Sequence, residues 1–227
     1  MATWKAGESQ WSYSESPNIS DSKACLDPYR AESKKILSTI QSVCPNARTE
    51  RASIDESFLD LSRDIHDRLL EQYEALRAPP PNSNQHQLLP LPDIKVLNWS
   101  ESHLVANADE DEKKAEMQID DLDWDDVAMA IGAGIVKDLR DEVFKRLGYT
   151  CSAGVANNKM IAKLGSGFKK PNQQVFYHRD TFAGDIRLET DPPTIRALSA
   201  HPRSNHSSVR LSSRRVHIPF FSLGGAD

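Results

Sequence analysis

Cysteine is scarce: Cys25, Cys44 and Cys151 are the only three in 227 residues. The number is odd and no two are spaced as a metal-binding pair. That argues against a disulfide scaffold or a zinc module and fits a reducing, intracellular setting. The seven histidines form no metal-type cluster either, and His66 and His103 read as surface residues. No apolar run approaches the ~20 residues that a membrane helix needs, so no membrane partner is expected. The opening Met-Ala-Thr-Trp-Lys-Ala-Gly-Glu lacks an apolar core and does not read as a secretory signal. Hydrophobic residues make up 38% and mean hydropathy is −0.57. The length suffices for one good core or two small ones, but part of the chain is expected to stay outside it.

Charge is unevenly spread. The formal total of −5 hides an acidic stretch, residues 109–126, with ten acids and two lysines, a local balance of −8. The rest sums to +3, and local charge rather than the total decides what a surface attracts. Acids are absent between Asn157 and Pro171, where Lys159, Lys163, Lys169 and Lys170 stand. Lysine is absent from Pro171 on, leaving seven arginines among Ser, Pro and His.

Periodicity places the elements. Residues 1–24 are polar with scattered aromatics and read as irregular. Asp27–Val43 reads as a helix, with Asp27 as cap, Pro28 in the first turn and Tyr29, Ile36, Leu37, Ile40 and Val43 on one side. A strand–turn–strand unit spans residues 49–62, and a second helix spans 64–77 with Ile65, Leu69, Tyr73 and Leu76 inward. Pro79, Pro80 and Pro81 end it. Residues 78–121 have loop composition and are expected to be a disordered insertion. Residues 123–147 give the longest helix, with Val127, Ile131, Ile135, Leu139, Val143 and Leu147 recurring every four, acids at its start and Gly148 as C-cap. A strand follows over 149–156, then a short helix over 157–167 capped by Asn157 or Asn158. On that helix Lys159 and Lys163 share one face, and Met160 and Leu164 are expected to share a buried one.

Two groups of residues bear on chemistry. Asp55 and Glu56 are adjacent acids between short β-type runs. In a straight strand they would point apart, whereas at a hairpin bend both can converge. Converging carboxylates repel unless a cation or a proton relieves them, and Mg²⁺ suits carboxylate oxygens. A solvated turn satisfies the same residues. Lys159 and Lys163 stand at a strand-to-helix junction, where a triphosphate or a nucleic-acid backbone is the natural anion. A solvated basic face is the bland reading there.

The stretch Ala-Ser-Ile-Asp-Glu-Ser-Phe-Leu-Asp-Leu, residues 52–61, resembles the Ser-Ile-Asp-Glu motif of Y-family translesion DNA polymerases, with wording nearest the eta branch. Residues 150–174, which include Ser-Ala-Gly-Val-Ala-Asn-Asn-Lys-Met-Ile-Ala-Lys and end in Lys-Lys-Pro-Asn-Gln-Gln, resemble the family's second motif. The resemblance covers residues 1–174 and implies an α+β fold. That fold is a ferredoxin-like polymerase palm, mainly antiparallel, with helices on one face, interrupted by the 78–121 insertion. Residues 175–227 match nothing in the pattern and are expected to form a tail without its own fold.

By the same resemblance Asp55 and Glu56 are the catalytic, Mg²⁺-binding carboxylates. Lys163 contacts the incoming deoxynucleoside triphosphate, and Lys159 supports it or the nearby backbone. Ser53 serves packing and Asp60 is structural. The implied partner is primer–template DNA, with a sliding clamp for the complete family protein, though no clamp-binding motif is present. The implied location is the nucleus. The family's upstream carboxylate strand, Asp-x-Asp-x-Phe-Tyr/Phe-Ala, has no counterpart, because Asp121-Leu122-Asp123-Trp124 lacks an apolar lead-in. The expectation is therefore an incomplete palm holding at most one Mg²⁺, inactive alone, with an exposed central strand edge. Two rivals remain: a non-catalytic palm remnant that binds DNA or a protein partner, and a nucleotide-binding α/β enzyme that needs no primer.

Overall fold

Helices and strands alternate along the chain, and their apolar faces explain where each one packs. The computed structural model describes residues 1–5, 9–16, 18, 20–77, 91, 103–105, 123–168, 170–177 and 217–220. The N-terminal segment is not irregular. Strands β1 (Ala2–Lys5), β2 (Ser12–Tyr13) and β3 (Ser22–Ala24) form a small antiparallel sheet in the order β2-β1-β3. Its polar residues hide the pattern, because Tyr13 is exposed and packs edge-on against the Trp11 ring instead of entering a core.

Helix α1 (Asp27–Val43) matches the predicted span, but Leu26 rather than Asp27 holds the cap position. Asp27 lies inside the first turn and pairs with Arg30 at 3.1 Å. Strands β4 (Arg48–Arg51) and β5 (Ser57–Asp60) pair antiparallel, with Glu50 opposite Phe58. Helix α2 (Ser62–Gln72) stops short of the predicted end: Tyr73 is extended, and a 3₁₀ turn over Glu74–Leu76 follows. The expected insertion lies outside the described residues apart from Leu91 and strand β6 (His103–Val105).

Helix α3 (Trp124–Leu147) is closed at both ends as its sequence dictates. The Asp123 carboxylate accepts from the amides of Asp125 and Asp126, the Asp126 carboxylate accepts from the Asp123 amide, and Gly148 takes the left-handed conformation at the C-cap. Strand β7 (Ala153–Val155), helix α4 (Lys159–Gly167), strand β8 (Gln174–Tyr177) and strand β9 (His217–Phe220) complete the described elements. The expected boundary at residues 174/175 thus falls inside β8, and seven residues of the expected tail lie in strands, three in β8 and the four of β9.

The larger sheet has six strands in the order β4-β5-β9-β7-β8-β6. It is mixed: the pairs β4–β5, β5–β9 and β9–β7 are antiparallel, while β6 and β7 flank β8 in parallel. The main core joins Ile36 and Ile40 of α1, Ile65 and Leu69 of α2, and Val127, Ile135, Leu139 and Val143 of α3 to Leu59, Ala153, Val155 and Phe176 of the sheet. A second cluster, Ala156, Ala162 and Val175, packs with Ile161. Strand residues alternate faces, so Val175 and Phe176 point to opposite sides of β8. Helix α4 therefore lies across the sheet from α1–α3, and the expectation of helices on one face is corrected.

The α4 contact explains a second correction. A Cβ on Gly154 would stand 1.9 Å from the Ala162 carbonyl oxygen, so the helix backbone rests directly on the strand. Small residues face the sheet, with Ala162 and Gly165 buried, and Met160 is turned out at 53% exposure. No described helix is long and apolar enough to cross a membrane.

Candidate functional site

The site lies on the α4 face of the sheet, where the β4–β5 turn meets the start of α4. The turn closes through two backbone bonds, with the Ala52 and Ser53 amides donating to the Glu56 carbonyl at 3.0 and 3.1 Å. This leaves Asp55 exposed at the bend and Glu56 half-buried where β5 begins. On the opposite side, the Asn158 side chain accepts from the Ile161 amide at 2.9 Å and fixes the first turn of α4.

Residues from the two motif stretches, more than a hundred positions apart in sequence, meet here. The Lys163 ammonium donates to both carboxylate oxygens of Glu56. The Lys159 ammonium pairs with Glu50 and stands 5.2 Å from the centre of the Phe58 ring. Lys159 and Lys163 are four apart on α4 and so reach the hairpin side by side. Glu50 and Phe58 are cross-strand partners and present one face to the same ammonium.

Asp55 has a different partner. The Ser53 hydroxyl donates to Asp55 Oδ1 at 2.6 Å and accepts from the Asp55 amide at 3.3 Å. Ser53 is exposed, so its place in the motif is to orient Asp55 rather than to pack. The Asp60 Oδ1 accepts from the Ser62 amide at 3.1 Å and from the Ser62 hydroxyl at 2.6 Å, at the start of α2.

Glu50 was not legible as a site residue. Its strand reads Arg-Thr-Glu-Arg, exposed throughout, and only the hairpin register sets it opposite Phe58. Arg140 was missed as well. Its guanidinium donates to the Cys151 carbonyl at 2.8 Å and to the Asn172 carbonyl and side-chain oxygens at 3.0 and 2.8 Å. It thereby ties α3 to the two segments that lead into β7 and β8.

The donor set bears on a metal. Asp55 and Glu56 offer two hard carboxylates, which suit a divalent cation such as Mg²⁺ whose remaining positions are filled by water or phosphate. Among the described residues no group of three or more His, Cys, Asp or Glu side chains could hold a metal ion.

A family model described as the impB/mucB/samB family matches residues 13–167. The N-acetyltransferase eso1 of Schizosaccharomyces pombe is 43% identical over 181 residues, 77% of this chain and 19% of that protein. DNA polymerase eta of Saccharomyces cerevisiae is 33% identical over 211 residues, 79% of this chain and 31% of that protein. DNA polymerase eta of Arabidopsis thaliana is 35% identical over 162 residues, 69% of this chain and 21% of that protein. The chain thus spans about a fifth to a third of the length of these relatives.

Proposed function

Because the chain belongs to the impB/mucB/samB family of Y-family DNA polymerases, we propose that it supplies part of the palm of a translesion DNA polymerase. The overall reaction is transfer of a nucleotide to a primer 3'-hydroxyl opposite damaged template. In this reading Asp55 and Glu56 hold one Mg²⁺, Lys163 meets the incoming triphosphate, and Lys159 supports it. A nuclear location belongs to the same proposal. Bound Mg²⁺ would neutralise phosphate charge, and positioning with charge neutralisation is what phosphoryl transfer chiefly needs.

The observation that carries the reading is the Glu56–Lys163 contact, which joins one residue from each motif. The contact also sets how the residues would respond to ligands. Glu56 cannot give both oxygens to a cation while Lys163 holds them, and Lys163 cannot grip a phosphate while it faces Glu56. A cation at Glu56 releases Lys163, and an anion at Lys163 releases Glu56. Each ligand therefore favours the other.

The test is a Mn²⁺ titration followed by electron paramagnetic resonance, with and without tripolyphosphate. Tripolyphosphate should tighten Mn²⁺ binding beyond what the ions' association in buffer accounts for. Lys163→Met should tighten Mn²⁺ alone, abolish the coupling and weaken tripolyphosphate about tenfold. Asp55→Asn should weaken Mn²⁺ without touching the polyphosphate. Absence of saturable Mn²⁺ binding in the unaltered chain would remove the metal from the proposal.

The two-carboxylate donor set favours a second reading, a non-catalytic palm that binds DNA through Lys159 and Lys163. It predicts binding that weakens steeply with salt and no Mg²⁺-dependent extension of a primer.

A further inference from the structure

The two lysines of α4 are held by carboxylates of different standing. Lys163 faces Glu56, the neighbour of Asp55 at the bend and half of the pair that suits a cation. Lys159 faces Glu50, 109 positions away in sequence and one strand over, on β4. Among the described residues no group of three or more His, Cys, Asp or Glu side chains could hold a metal ion, so Glu50 does not join Asp55 and Glu56 around one. A cation at the bend therefore draws Glu56 off Lys163 and leaves Glu50 on Lys159. Only a competing anion can take Lys159 from it.

Holding and competing fall to different residues at Lys159. The ammonium stands 5.2 Å from the centre of the Phe58 ring, which is half-buried in β5. A ring face attracts the cation whichever anion takes its hydrogens. Glu50 is the cross-strand partner of Phe58, and its side chain is 65% exposed, so it can turn into water without disturbing the core. An ammonium has three donors, and geometry alone would let Glu50 and a phosphate share it. Two anions on one ammonium repel, and the exposed carboxylate is the one that can leave. A polyphosphate anchored on Lys163 brings its next phosphates to Lys159, four residues or about 6 Å along the helix, at high effective concentration.

We propose that Glu50 sets the affinity of the polyphosphate site: its carboxylate is a resident anion on Lys159, which a nucleoside triphosphate must expel. This rests on the reading that Lys159 and Lys163 meet the triphosphate. Glu50 then opposes binding, and its cost falls only on ligands that use Lys159. An exposed ion pair of this kind is worth about fivefold at most.

The test uses the full-length chain and tripolyphosphate, titrated by calorimetry at low salt, where exposed charges are least screened. A chelator removes divalent cations, so that Glu56 is in the same state throughout. Glu50→Gln should bind tripolyphosphate about three- to fivefold more tightly than the unaltered chain. Lys159→Met should bind it more weakly, and adding Glu50→Gln to that variant should change nothing further, because no ammonium is left to contest. Unchanged or weaker binding by Glu50→Gln would overturn the proposal, the weaker result making Glu50 a residue that positions Lys159. Tightening that persists in the Lys159→Met background would overturn it too, since it would report the lost charge and not a contest for the ammonium. Binding that needs Lys159 and ignores Glu50 would sink this inference alone. No saturable binding by the unaltered chain or by Glu50→Gln would sink the triphosphate reading with it.

Discussion

Asp64, in the first turn of α2, has one carboxylate oxygen that is buried with no hydrogen-bond partner among the described residues. Burial first, then the neighbouring Asp67, push its carboxyl above the usual range, against a backbone hydrogen bond and the Arg68 and Arg63 charges. The folded state therefore holds this proton more tightly than the unfolded chain does. The stability it contributes is full below the unfolded carboxylate pKa and is lost as pH rises through the folded one. Asp64→Asn keeps a neutral side chain at every pH. Its melting temperature relative to the unaltered chain should be higher at pH 7 than at pH 4, and a pH-independent difference would refute this. The thiols behave in the opposite sense to a reactive site. Burial pushes Cys151 up to about 12 and Cys44 up to about 11, and Cys25 is buried too. Thiolate is the nucleophile, so at pH 8 a thiol reagent should label none of the three quickly, and all three only after denaturant is added. Cysteine scarcity in the sequence already argued against disulfide and zinc chemistry. That each thiol is buried required the fold.

Among the elements, the helices were the most legible because their signals are local. The 123–147 span, its acidic start and Gly148 follow from capping chemistry that acts within a few residues. Asp123→Ala removes the acceptor for two amides and should cost about 1 kcal/mol in a denaturant melt. Helix α4 was legible in extent but not in orientation. Met160 and Leu164 have the right spacing for a buried stripe, yet the helix approaches the sheet through Ala162 and Gly165 because Gly154 lets the two backbones touch. Gly154→Ala sets a methyl 1.9 Å from one backbone atom and 2.6 Å from another, neither able to yield without moving the helix. Overpacking of this kind costs ~1–3 kcal/mol or more. The variant should melt well below the unaltered chain, and an unchanged melting temperature would mean that α4 does not rest on β7. The N-terminal strands were missed because their residues alternate neither in polarity nor in size.

For the molecule as a whole, the expected exposed central edge is covered, and by His217–Phe220 of the expected tail. A chain ending at residue 216 should lose the link between β5 and β7. It should show a broadened, less cooperative melt and bind more of a dye that reports exposed apolar surface. A sharp melt at the original temperature would show β9 to be dispensable. Family membership was readable from the sequence, because short motifs keep their residue types and spacing in linear order. So were the main helices, since capping and apolar periodicity act over a few positions. Only the tertiary structure decided that Lys163 faces Glu56, that Glu50 holds Lys159, that α4 lies across the sheet from α1–α3, and that His217–Phe220 completes the sheet. Each of these depends on strand register and on contacts between segments tens to more than a hundred residues apart, which local pattern does not encode.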